Sequence, residues 1–402
     1  MADSKAIAQR ALALTKRLTE KYPQRKAGSD HCLRCADELH DEMDAFANAK
    51  SERFTVREAA FLGWVRLLVA FYIAGAVCLW LRLPAVTAAL LGLGIVIMVL
   101  EFFLYKHAID FLFVRRQANN VSASVEPEGE VRAHVIISGH HDSARVFNFF
   151  IHQPKLYALR VIGGIGLLCA VFVLSIVSAA LSIPLLNTIV AAIATAGTLL
   201  VAQLWFFASA KATPGAGDNM ISTAVAVEVL REIAAQKAAG GGLKHTRVSA
   251  VSFDAEEAGL RGARAFAKAH GEQLSEIPTV ALNIDCPYML DELFFLKSDI
   301  NGSVKLSETL ADTCVDISAS LGIAAEAKDI AFLTGGTDAA ELARAGAHAT
   351  TLMAMPWNNS DRHNVYHTPD DTVDALQPEC VQACAAIALG LIGRQDQAAA
   401  GG

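Results

Sequence analysis

Charge is what this 402-residue sequence has least of, at 19% Asp, Glu, Lys and Arg, against about 25% in an average soluble domain. Basic excess is also missing. With 34 Lys and Arg against 41 Asp and Glu the net charge is −7, which excludes a chain that wraps nucleic acid. Cysteines number eight, and Cys32 and Cys35 are the closest pair. No second pair completes a thiolate metal site, and the scattered thiols suit a reducing compartment. What replaces charge is apolar mass: 53% hydrophobic residues and a mean hydropathy of +0.36. That excludes a disordered or fibrous chain and argues against a wholly soluble one.

The charge deficit is local. From Val161 to Ala210, 50 consecutive residues carry no Asp, Glu, Lys or Arg, enough for two membrane spans of about 20 residues and a turn. Ser182, Ile183, Pro184 and Asn187 sit where that turn belongs. A second apolar stretch runs from Phe61 to Tyr105, broken by Arg66, Arg82 and Glu101 and divided at Leu83-Pro84. Outside residues 60–105 and 160–210, 71 of 305 residues are charged, an ordinary globular proportion. The division that follows is 1–59, N-terminal helices of the soluble domain; 60–105, a first transmembrane hairpin; 106–159, the domain's first site strand; 160–210, a second transmembrane hairpin; and 211–402, the remainder.

Four spans return the chain to the side it started from. Lys50, Arg53, Arg57, Lys106, Arg115, Arg116, Arg145, Lys155, Arg160 and Lys211 flank the hairpins on that side, whereas the other side offers Arg82. The positive-inside rule therefore predicts a multi-pass protein of the cell membrane with its soluble domain in the cytoplasm and the lipid bilayer as a partner. The first residues, Met1-Ala2-Asp3-Ser4-Lys5, lack the apolar stretch of a secretory signal.

Periodicity predicts amphipathic helices over 4–22 and 30–49, with Ile7, Ala11, Leu14 and Leu18 on one face. Apolar runs predict strands at 131–138, 247–253, 279–284 and 349–355. Helices are expected over 219–239, 259–270, 303–321, 336–345 and 377–393, and a frayed tail from Ala398. Strands alternating with helices indicate an α/β fold: a mixed central sheet with helices on both faces, interrupted by the two hairpins.

Five clusters lie at strand ends or in loops, where α/β folds bind ligands. Gly139-His140-His141-Asp142-Ser143 follows the first strand; Asp142 could orient the His140 imidazole on a metal, or His140 could be a surface residue. Pro214-Gly215-Ala216-Gly217-Asp218-Asn219 opens a helix, where Asp218 is either a metal ligand or an N-cap. In Asp254-Ala255-Glu256-Glu257 adjacent carboxylates repel, and their chemical use is one ligand beside one proton shuttle; the alternative is a solvated acidic loop. Asn283-Ile284-Asp285 ends an apolar strand in an acid, and Tyr366-His367-Thr368-Pro369-Asp370-Asp371 forms a polar loop. Two His and three carboxylates plus one free Glu match the needs of two divalent metals about 3.5–4 Å apart, with one carboxylate bridging and a hydroxide between them. Imidazole and carboxylate without thiolate favour two Zn²⁺, with Co²⁺ or Mn²⁺ possible.

In this order the clusters resemble the co-catalytic zinc exopeptidases of clan MH, the family of bacterial leucyl aminopeptidases and glutamate carboxypeptidase, from about Tyr22 to Leu389. The resemblance implies a membrane-anchored member acting on a peptide substrate. Asp218 would bridge the metals through a residue whose bond to Asn219 is cis, with His140 and Asp285 completing one site and Glu257 and His367 the other. It also implies Glu256 as general base and acid, Asp142 behind His140, and Tyr366 as a donor to the oxyanion. Gly335-Gly336-Thr337-Asp338 looks like the family's Gly-Gly-Ser-Asp turn, but Ala339 replaces the usual following His. Met220-Ile221-Ser222-Thr223 also departs from the shorter, glycine-bearing family run. His141 and His363 are expected to stand outside the metal set, and Cys286 to line the site without acting as a nucleophile. The alternatives are a non-catalytic membrane receptor or scaffold on the same fold, and another zinc amide hydrolase or glutaminyl-cyclising enzyme.

Overall fold

The computed structural model describes residues 3–356 and 365–401, and His363 lies outside them. The chain forms two compact units. One comprises Met1–Glu58, Arg115–Arg145 and Lys211–Gly402, and the other Ala59–Val114 and Val146–Ala210.

The first unit is built on one eight-stranded sheet. In chain order its strands are β1 (Asn48–Val56), β2 (Arg116–Val125), β3 (Ala133–His140), β4 (Thr246–Phe253), β5 (Thr279–Pro287), β6 (Leu293–Leu296), β7 (Glu326–Lys328) and β8 (His348–Ala354). Their spatial order is β1-β2-β4-β3-β5-β8-β6-β7. The four central strands β4, β3, β5 and β8 run parallel, while β1–β2, β2–β4 and β8–β6 are antiparallel. Val135, Ile136 and Ile137 of β3 are all buried, the continuous apolar run of a strand covered on both faces. Helices Ile221–Ala238 and Pro378–Gly401 lie against the central strands, and Asp30–Asp44 and Arg261–Glu276 against the antiparallel edge. Residues 221–230 are buried on every side, because helix Ser4–Lys21 packs over Ile221–Ala238 from outside.

Two expectations need correction, and one strand was not anticipated. The helix expected over 30–49 ends at Asp44, and the segment that follows is the edge strand β1, so residues 1–59 are not helical throughout. Strand β2 (Arg-Gln-Ala-Asn-Asn-Val-Ser-Ala-Ser-Val) lacks an apolar run because its buried positions include Asn119 and Asn120, which bond to a loop instead of packing. The tail is helical to Gly401, since Ala398, Ala399 and Ala400 have the highest helix propensity of any residue.

The second unit contains four helices long and apolar enough to cross a membrane: Ala60–Trp80, Pro84–Phe103, Pro154–Leu181 and Pro184–Phe206. Proline opens three of them, at a position where its missing N–H costs nothing. Their interior is tied by polar groups bonded to backbone: Tyr72 Oη to Ala194 O at 3.0 Å, Thr87 Oγ1 to Gly75 O at 2.8 Å, and Asn187 Nδ2 to Leu79 O at 2.8 Å. Small residues and such bonds are how helices associate where the surroundings are as apolar as their own side chains. Their outer faces are aliphatic, with Leu199 86% and Leu185 68% exposed.

Candidate metal centre

The parallel strands β3, β4 and β5 end on the same side of the sheet, and each delivers one cluster. His140 is the last residue of β3, Glu256 and Glu257 follow β4, and Asp285 lies near the end of β5. Asp218 arrives from the turn before Ile221–Ala238 and His367 from the loop after β8. Asp218 is central. Potential ligand atoms of His140, Asp218 and Asp285 lie within 4.8 Å of one another, as do those of Asp218, Glu257 and His367. His140 Nε2 stands 3.4 Å from Asp218 Oδ1, while His367 Nε2 stands 3.1 Å from Oδ2 and 3.6 Å from Glu257 Oε1. All five residues named for metal binding therefore converge. Glu256 joins them, its Oε2 3.8 Å from His140 Nε2.

Side chains outside the five hold them in place. Asp142 Oδ1 accepts from Glu256 N at 3.1 Å and Oδ2 from Glu257 N at 3.2 Å, and Oδ1 also lies 3.3 Å from His140 Nδ1. One carboxylate thus positions a His and both Glu. Asp218 does not cap the helix as the sequence allowed; its own turn is fixed by Asp371, which accepts from Gly217 N at 2.8 Å and Asp218 N at 3.2 Å. The Asp218–Asn219 peptide is cis. Asn219 Nδ2 reaches Ile284 O at 2.8 Å, locking this turn to β5. Ala255, Cys286 and His367 adopt φ of 63°, 51° and 54°, left-handed conformations that non-glycine residues hold only when the surroundings over-determine them.

Sequence reasoning missed three residues here. Arg25 is fully buried, and its guanidinium donates to His141 O (2.8 Å), Pro214 O (2.9 Å) and Gly215 O (2.9 Å), joining the β3 loop to the Asp218 turn. A basic residue in a polar stretch gives no hint of that. Asp371 gave one, as a second acid behind His367. Asp338 in the Gly335–Asp338 turn is buried with neither carboxylate oxygen hydrogen-bonded among the described residues, and burial pushes its carboxyl well above the usual range. His141 turns away from the five, with Nδ1 2.8 Å from Ser252 Oγ. Cys286 is buried beside Asp285. Tyr366 is half-buried with its ring stacked on His367, centroids 4.0 Å apart.

Electrostatics say what the cluster lacks. Burial pushes the Glu256 and Glu257 carboxyls well above their usual range and Asp285 up to about 7. Burial also pushes Asp218 up, but the His140 and His367 bonds outweigh it and hold it below the usual range. His140 Nε2, Asp218 Oδ2 and Glu257 Oε1 are buried with no aligned hydrogen-bond partner among the described residues. So many buried carboxylates with unpartnered atoms are unfavourable unless cations neutralise them. The donor set, imidazole and carboxylate grouped around one shared Asp, fits divalent metal ions. Glu256 and Glu257 keep 11% and 16% side-chain exposure against 1–7% for His140, Asp218 and His367, so solvent reaches the cluster on the Glu side.

The fold is shared with solved hydrolases and cyclases. A glutaminyl cyclase from Bacteroides thetaiotaomicron superposes with a TM-score of 0.58 at 12% identity over 96% of this chain and 97% of that one. An aminopeptidase from Aneurinibacillus sp. strain AM-1 gives 0.56 at 14%, over 98% and 96%. The Legionella pneumophila LapA aminopeptidase gives 0.53 at 14%, over 97% and 73%. No curated protein matches the sequence. Residues 200–392, which supply Asp218, Glu256, Glu257, Asp285 and His367, match the profile of peptidase family M28, and the chain carries an M28 (clan MH) peptidase domain.

Proposed function

We propose that this protein is a membrane-anchored, two-zinc exopeptidase of aminopeptidase type. The observation that carries the reading is the convergence of two donor triads on one shared residue, Asp218. His140 and Asp285 would hold one ion with it and Glu257 and His367 the other. When bound, such a pair polarises a scissile carbonyl and makes a water acidic enough to attack near neutral pH.

The chain's own part is proton management and orientation. Glu256 carries a free carboxylate next to the ligands, and the hydrogen bond from its backbone N–H to Asp142 fixes it there. It takes the proton of the attacking water and returns it to the leaving amine. Asp142 keeps the His140 ring turned so that Nε2 faces Asp218. Tyr366, stacked on His367, donates to the oxyanion.

Aminoacyl-nitroanilide turnover by the purified, metal-loaded protein tests this. Glu256→Gln should lower kcat by about 10²–10⁴-fold at unchanged metal content; wild-type turnover in that variant would contradict the role. The full donor set argues against a non-catalytic scaffold. A cyclase reading rests on the shared fold alone, and ammonia release from N-terminal glutaminyl peptides without nitroanilide hydrolysis would favour it. The four apolar helices, aliphatic on their outer faces, support anchoring in a bilayer, and the flanking basic residues support a cytoplasmic catalytic unit. Extraction of the protein from membranes by an alkaline wash without detergent would refute the anchoring.

A further inference from the structure

A second group of donors stands apart from the five. Cys32 of helix Asp30–Asp44, His141 beyond β3 and Asp254 beyond β4 are all fully buried, and one potential ligand atom of each lies within 4.8 Å of the others. Cys32 Sγ is 3.3 Å from Asp254 Oδ1. That spacing suits a cation with sulfur at about 2.3 Å and oxygen at about 2.0–2.2 Å.

The hydrogen bonding here is one partner short. His141 Nδ1 meets Ser252 Oγ at 2.8 Å, and Ser252 Oγ meets Thr223 Oγ1 at 3.0 Å. His141 Nε2 is buried with no hydrogen-bond partner among the described residues. Asp254 Oδ2 is occupied by Asn119 N at 3.1 Å, which leaves Oδ1 to the thiol. In the tautomer whose Nδ1–H donates to Ser252, one thiol proton faces two acceptors, Asp254 Oδ1 and His141 Nε2, and serves only one. A divalent cation replacing that proton would satisfy sulfur, nitrogen and oxygen together. The outward Nδ1 bond is the arrangement that orients a metal-binding imidazole. Cys35, one turn along in a Cys-x-x-Cys spacing, is also fully buried on the same helix.

We propose that Cys32, His141 and Asp254 form a structural zinc site separate from the pair around Asp218, pinning helix Asp30–Asp44 to the ends of β3 and β4. Binding replaces the Cys32 S–H bond by a metal–thiolate bond and releases the proton to solvent. The site gives His141 a role the neighbouring His140 does not share.

The test uses the full-length protein in detergent, stripped by chelator and reloaded with Co²⁺. A thiolate-to-cobalt charge-transfer band in the near ultraviolet should appear, because the Asp218 pair offers imidazole and carboxylate only. Cys32→Ser should abolish the band and lower bound metal by one ion per chain, whereas Asp218→Ala should keep it. No band in the wild type, or a band surviving in Cys32→Ser, overturns the proposal. Should Cys32→Ser fail to fold, X-ray absorption of the zinc-loaded wild type decides: a sulfur neighbour at about 2.3 Å supports the site, and nitrogen and oxygen neighbours alone reject it. A protein that shows the band yet hydrolyses nothing would refute the peptidase reading and leave this one standing.

Discussion

Arg25 shows how far the site extends beyond its candidate ligands. Its guanidinium spans the carbonyls of His141, Pro214 and Gly215, so the relative placement of His140 and Asp218 depends on a planar fork of donors. Lysine keeps the charge and loses the fork. Arg25→Lys should weaken metal binding by about 10–100-fold, as is typical of residues that orient ligands, measured by competition with a chromophoric chelator. Wild-type affinity would mean that the loops hold their places without Arg25. At this scale the sequence was informative wherever chemistry forced unusual neighbours. Glu256-Glu257 and an acid ending an apolar strand at Asp285 are hard to explain by packing. Arg25 carried no such mark, because its meaning lies in loops far away in the chain.

Elements were legible in proportion to how uniformly they are buried. The central strands β3, β4, β5 and β8 read as apolar runs because both faces are covered. Strands β1 and β2 did not, since one is an exposed edge and the other buries Asn119 and Asn120, which grip the acidic loop through Asp254. The same sheet carries a pH liability. His134 on β3 pairs with Ser249 Oγ at 2.8 Å, and burial, reinforced by the Arg247 and His270 charges, lowers its pKa to about 3. In the unfolded chain it titrates near 6.5, so between pH 6.5 and 3 the unfolded state binds a proton that the folded state does not. Stability therefore falls as the pH drops through that window, with a slope approaching about 1.4 kcal/mol per pH unit for this group. His134→Gln should flatten the fall in Tm between pH 6.5 and 4; an unchanged slope would place the acid sensitivity elsewhere.

On the scale of the whole molecule, two hydrophobic hairpins and a peptidase unit share one chain. The composition separates them cleanly because the hairpins carry almost no charge, whereas a soluble α/β unit has about a quarter of its residues charged. The α/β unit is interrupted at Glu58 and Arg145 and resumes at Arg115 and Lys211, yet its candidate ligands come from both sides of the second interruption: His140 before it, Asp218 and the rest after. The central claim is that these distant residues assemble a paired metal centre. Anomalous scattering at the zinc edge from crystals of the zinc-loaded protein tests it most directly. Two peaks about 3.5–4 Å apart on either side of the Asp218 carboxylate are the predicted result; a single peak there, or none, would contradict it.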